Sequence, residues 1–222
     1  MNPSEAVSIN GQQLSELRKL VNQGEGPHLE FKRKASHPEK IIREMIAFAN
    51  TGGGTVLIGV DDNGSIPGVK YPDEEILVIQ QALQKACRPT LHTLETIIPL
   101  DENQFVVRLD IPVSPRRPHF NVLGSDTKES YVRANDMSIK ASREMVEIIR
   151  RSKQKKDIRF NYGDPEKQLM EYLELNKTIS LDEYRKLAKL NRFRAAKKLV
   201  LLVLANVLRI APSEKGDLYS RI

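Results

Sequence analysis

Five groups of residues in this 222-residue sequence have types and spacings that could do chemistry. Glu30 and Lys32 stand two apart, so on a strand they share one face. An acid beside a cation in that position is how several metal nucleases present a ligand, and it is equally an exposed ion pair. Asp61 and Asp62 follow a short apolar run and place two carboxylates where a strand ends, a favoured ligand position in open α/β sheets. Gly52, Gly53 and Gly54 lack Cβ atoms, so the chain there can turn and approach another backbone or a phosphate closely. No Gly-x-x-x-x-Gly-Lys-[Ser/Thr] phosphate loop occurs. Arg116 and Arg117, held between Pro115 and Pro118, suit phosphate contact or a solvated loop. Arg194, Lys197 and Lys198 stand at i, i+3 and i+4 and would share one helix face. His28, His37, His92 and His119 show no paired metal spacing.

The elements that must carry these groups can be read from periodicity. Leu14, Leu17, Leu20 and Val21 predict a helix over 12–22. In a strand over 28–32, Leu29 and Phe31 would point inward and Glu30 and Lys32 outward. Pro38 opens a helix whose stripe is Ile41, Ile42, Met45, Ile46, Phe48 and Ala49, and the glycines stop it. The β-branched run 55–60 reads as a strand covered on both faces. A helix over 73–87 ends at Arg88-Pro89, and 93–100 with 105–112 form a hairpin around Asp101-Glu102-Asn103-Gln104. A loop over 113–125, a strand over 128–134 and a helix over 142–151 follow.

The pattern then changes to helices. Asp164-Pro165-Glu166 opens one; Ser180 and Glu183 form a capping box for a second; a third runs from Phe193 to about Ala205. A hairpin over 207–222 closes the chain. Helix, helix, basic helix, hairpin is the order of a winged helix-turn-helix.

The stretch Ala47-Phe48-Ala49-Asn50-Thr51-Gly52-Gly53-Gly54, followed by Ile58-Gly59-Val60-Asp61-Asp62 and Gly68, resembles the core motif of the Schlafen-type AlbA-like domain, also described as a divergent AAA ATPase domain. Glu25 to Lys32 is similar to its opening strand, and Ser130-Tyr131-Val132-Arg133 through Ser142 to its closing strand and turn. The resemblance covers about residues 11–150. It implies a mixed α/β (α+β) fold and nucleic-acid binding or nuclease activity. In Schlafen-type tRNA nucleases three acids hold a divalent metal, and the resemblance places them at Glu25, Glu30 and Asp62. Mg²⁺ or Mn²⁺ there would activate water and stabilise a phosphoryl transition state. The larger nucleases also have a second AlbA-like lobe and a zinc site, whereas this chain has one lobe and one cysteine.

Charge divides the chain. Residues 151–222 carry 17 Lys/Arg and 9 Asp/Glu, a net of +8, against −2 for the rest. A basic module suggests a polyanion partner. The longest apolar run, Leu199–Ala205, is far too short to span a bilayer. Met1 to Glu5 begins no secretory signal, and a lone Cys87 permits neither an internal disulfide nor a Cys-rich zinc site. A cytoplasmic location is therefore expected.

These observations predict an AlbA-like α/β domain over 1–152, a linker over 153–159 and a winged-helix-like domain over 160–222. The expected function is DNA binding in transcriptional regulation, with no cofactor required for binding and no membrane partner. The alternatives are a Mg- or Mn-dependent endoribonuclease acting on structured RNA, and ATP binding at the glycine turn. Expected nucleic-acid contacts are Lys32, Arg33, Lys34, Arg116, Arg117 and Arg133, brought together in a homodimer, with Arg192, Arg194, Lys197 and Lys198 from the C-terminal domain.

Overall fold

The computed structural model describes residues 11–122, 128–153 and 160–222. The expected N-terminal lead (1–10), the end of the 113–125 loop and most of the expected linker lie outside the described residues. The chain divides into two compact units, Met1–Ser138 and Ile139–Ile222.

The first unit opens with α1 (Gly11–Val21), β1 (Leu29–Lys32), α2 (Pro38–Asn50) and β2 (Gly54–Ile58). It continues through α3 (Pro72–Ala86), β3 (Cys87–Arg88), β4 (Leu94–Pro99), β5 (Phe105–Ile111), β6 (Phe120–Asn121) and β7 (Tyr131–Ala134). The mixed sheet has the order β1-β2-β5-β4, with β1 parallel to β2 and the other pairs antiparallel. Alternation sorts its side chains between two cores. Leu29, Phe31, Leu57 and Val106 pack with Leu17 and Val21 of α1. Val56, Ile58, Val107 and Leu109 pack on the other face with the apolar stripe of α2 and with Ile79 and Leu83 of α3. The sheet is thus covered on both faces, as the unbroken apolar run of β2 requires.

In the second unit α4 (Arg143–Ser152), α5 (Asp164–Leu175), β9 (Ile179–Ser180), α6 (Leu181–Leu187), α7 (Arg192–Leu204), β10 (Leu208–Ala211) and β11 (Leu218–Arg221) follow β8 (Met137–Lys140), the strand in which the unit boundary falls. Three strands pair in the order β10-β11-β9. Leu169, Ile179, Tyr184, Ala195, Leu199 and Tyr219 build a separate core. The Ser180–Glu183 capping box forms: Glu183 N–H donates to Ser180 Oγ at 3.2 Å, and Ser180 N–H to Glu183 Oε2 at 2.8 Å. The helix over 142–151, assigned from sequence to the first domain, packs instead on α7.

Candidate nucleic-acid interface

An isolated bridge between Gly26 and Leu29 folds the chain back along β1 and brings Glu25 beside Phe31, whose N–H donates to Glu25 Oε1 at 2.8 Å. Glu30 and Lys32 do share a face. That face is not solvent, however, because it is the one covered by α2. Glu30 is 8% exposed and lies between Lys32 Nζ at 2.5 Å and Arg133 Nη1 at 3.0 Å. Lys32 also meets Glu44 of α2 at 3.4 Å. The Arg133 side chain is 2% exposed, donates to Gly26 O at 2.6 Å and Ser138 Oγ at 3.0 Å, and stacks over Phe48. Arg133 and Lys32 are therefore internal counter-ions rather than phosphate contacts. A charge this deep is sustained only by partners, and Glu30 and Arg133 supply them to each other.

Electrostatics follow from this packing. Burial pushes Glu44 up to about 7, with the Glu30 charge adding to it. Burial also raises Glu25, against the Phe31 hydrogen bond, and the charges of Glu30 and Asp62 add to the rise. Burial would lower Lys32, but its hydrogen bond to Glu30 and the charges of Glu44, Glu30 and Glu25 prevail and raise it.

Glu25 thus feels the charges of both Glu30 and Asp62. Yet among the described residues no group of three His, Cys, Asp or Glu side chains is placed to hold a metal ion. With Glu30 taken by two cations, the acids implied by the resemblance do not fit a divalent metal. Asp62 is exposed, and Asp61 accepts both contacts of Arg33, at 3.1 and 3.2 Å. Of Lys32, Arg33 and Lys34, only Lys34 is exposed with no ion-pair partner among the described residues.

The glycine turn lies at the opposite end of β2. It follows the C-terminus of α2, the negative end of a helix dipole, which disfavours a phosphate. Gly53 has φ +73°, and its N–H donates to Phe48 O at 2.9 Å. A Cβ on Gly54 would lie 2.4 Å from the Phe48 ring, and one on Gly52 would lie 2.5 Å from His28. The glycines serve close packing and a helix stop, and the turn offers no cradle for ATP.

At this same end a polar network holds the arginine loop. Asn50 Nδ2 donates to His119 O, Ser130 Oγ and Tyr131 O at 3.0–3.1 Å, and Asn50 Oδ1 accepts from His119 N–H at 2.7 Å. His119 Nδ1 lies 2.7 Å from Pro89 O and so carries the proton, leaving Nε2 to accept from Ser114 Oγ at 2.6 Å. Ser114 in turn accepts from Arg116 N–H at 3.1 Å, and its carbonyl from Arg117 Nη1 at 3.1 Å. Arg116 is exposed and Arg117 half-buried. Since β5 pairs Ile111 with Gly54 and Val107 with Ile58, this loop and the Lys34 end are separated by the length of β2, about 13 Å. The six basic residues expected to converge from this unit do not share one surface.

In the second unit the basic helix face divides. Lys198 pairs with Glu166, whose side chain is 3% exposed and which also caps α5 at Gly163 N–H. Arg192 pairs with Asp182 at 3.1 Å. Arg194 and Lys197 are exposed, and among the described residues neither side chain has an ion-pair partner. Val200 is 4% exposed although it lies outside the α5–α7 core, and α4, with Met145, Ile148 and Ile149 buried, packs on α7. The N-terminal half of α7 stays open at Arg194 and Lys197. Neither the Glu30–Arg133 pair nor the Asn50 network is signalled by spacing, since the partners lie 69–103 residues apart. The long loop after β5 was the one available cue.

Among the described residues no helix is long and apolar enough to cross a membrane. No curated protein matches the sequence. The chain resembles the N-terminal domain of an ATP-dependent DNA helicase RecG-related protein from Nitrosomonas europaea, at 17% identity and a TM-score of 0.43, over 67% of this chain and 97% of that one. It also resembles the DIP2311 protein from Corynebacterium diphtheriae, at 14% identity and a TM-score of 0.46, over 93% of this chain but 38% of that one. Neither likeness supports a functional assignment. Residues 25–142, more than half of the chain, match the family model described as Schlafen, AlbA_2. The chain belongs to the Schlafen, AlbA_2 family.

Proposed function

We propose that this protein binds nucleic acid, duplex DNA in preference to RNA, and acts in transcriptional regulation. The observation that carries this reading is the pair Arg194 and Lys197, two exposed cations without ion-pair partners among the described residues, on the N-terminal half of α7 in a unit of strongly basic composition. The order α5, β9, α6, α7, β10, β11 supports a winged-helix reading of that unit, with α7 in the recognition position. Lys34 and Arg116 are the exposed candidates left in the first unit, whose family resemblance also points to nucleic acid. Pairing of two copies about a two-fold axis belongs to the proposal, because it would set two α7 helices at a fixed half-site spacing.

The nuclease reading is weaker, since Glu30 is engaged by Lys32 and Arg133. Incubation with labelled duplex DNA, single-stranded DNA and tRNA, with and without Mn²⁺, tests both readings. The expected result is a shift of the duplex without cleavage. Mn²⁺-dependent cleavage of tRNA that disappears in Glu30→Gln with Asp62→Asn would put the nuclease reading first.

A further inference from the structure

Between α4 and α7 lies a groove of about 460 Å³. Four cations and one carboxylate line it: Arg151 from the last turn of α4, Arg194 and Lys197 from α7, and Lys198, which is paired with Glu166. Among the described residues Arg151, Arg194 and Lys197 have no ion-pair partner, whereas Lys198 is held by Glu166. The apolar part of the lining is Phe160, Leu201 and Leu202, and Asn161 adds an amide. Arg151, Arg194 and Lys197 form a cluster of like charges with no ion-pair partner among the described residues; it raises the free energy of the empty groove, and an anion relieves it.

A duplex backbone would meet the cations and leave the apolar floor unfilled. A nucleotide fills both: its phosphate meets the guanidinium and ammonium groups, its base lies against Phe160 and Leu201, and its base edge meets Asn161. We propose that this groove seats a single unpaired nucleotide, so that the protein prefers duplex ends or junctions carrying a single-stranded tail. The inference rests on the nucleic-acid-binding reading above and deepens it.

The test compares the full chain binding a blunt duplex with the same duplex carrying a four-nucleotide tail. Stacking of a base on an aromatic side chain predicts a preference for the tailed duplex of about tenfold. Arg151→Gln and Phe160→Leu, the latter keeping an apolar side chain in the core, should each bring the two affinities within about twofold. Arg192→Gln, whose parent already has a partner in Asp182, should leave the preference intact. Millimolar uridine monophosphate should remove the tail preference and bring tailed-duplex affinity down to the blunt-duplex level. Equal affinity for tailed and blunt duplex in the parent would overturn the inference while leaving the nucleic-acid reading standing. So would a preference that survives both groove variants, or one removed as well by inorganic phosphate. Absence of binding to every nucleic acid would overturn both.

Discussion

Replacing Arg133 by Met is expected to cost the first unit about 3–5 kcal/mol, the usual penalty when one partner of a buried ion pair is removed. The guanidinium donates to Glu30 Oε2, Gly26 O and Ser138 Oγ and covers the Phe48 ring. Its loss leaves Glu30 buried with only Lys32, while Glu44 Oε2 already lacks a hydrogen-bond partner nearby. Chemical denaturation of the parent and the variant measures the change. The double variant Arg133→Met with Glu30→Leu should recover part of the loss, because it removes the stranded charge. A loss below about 1 kcal/mol in the single variant would show that the pair is not the closed internal bridge described here.

Asn50→Ala is expected to cost about 3 kcal/mol, through buried hydrogen-bonding groups left without partners. The side chain accepts from the His119 N–H, and its two amide N–H groups are shared among the His119 carbonyl, the Ser130 hydroxyl and the Tyr131 carbonyl. In the alanine variant the His119 carbonyl keeps Ser130 Oγ at 2.9 Å, while the His119 N–H and the Tyr131 carbonyl lose this partner. The same network positions Ser114 and the Arg116–Arg117 loop. Amide hydrogen exchange at His119 should therefore accelerate in the variant, while β1 and β4 remain protected at the level set by the remaining stability. An unchanged exchange rate at His119 would contradict the assigned role of Asn50.

The local parts of this fold were legible because their causes are local. The helix stop at Gly52–Gly54 and the Ser180–Glu183 cap depend on residues within one or two turns of each other. The burial of β2 on both faces follows from its own apolar run. The charged groups were not legible in the same way. Glu30 and Lys32 share a face as alternation dictates, but whether that face meets water depends on α2 and on Arg133, 103 residues away. The basic triplet on α7 is correct as helical geometry, and it divides because Glu166 of α5 reaches Lys198. In α4 the apolar stripe Met145, Ile148 and Ile149 is plain in the sequence; that α4 packs on α7 is a tertiary fact.

The claim that the N-terminal half of α7 meets phosphate is tested most directly by the salt dependence of duplex binding. Each neutralised phosphate contributes about −0.9 to the slope of log affinity against log salt. Arg194→Gln with Lys197→Gln removes two exposed cations and leaves the paired Lys198 and Arg192 in place. Weaker binding with a slope shallower by about 2 is the expected result. Equal affinity and an equal slope in parent and double variant would contradict the account.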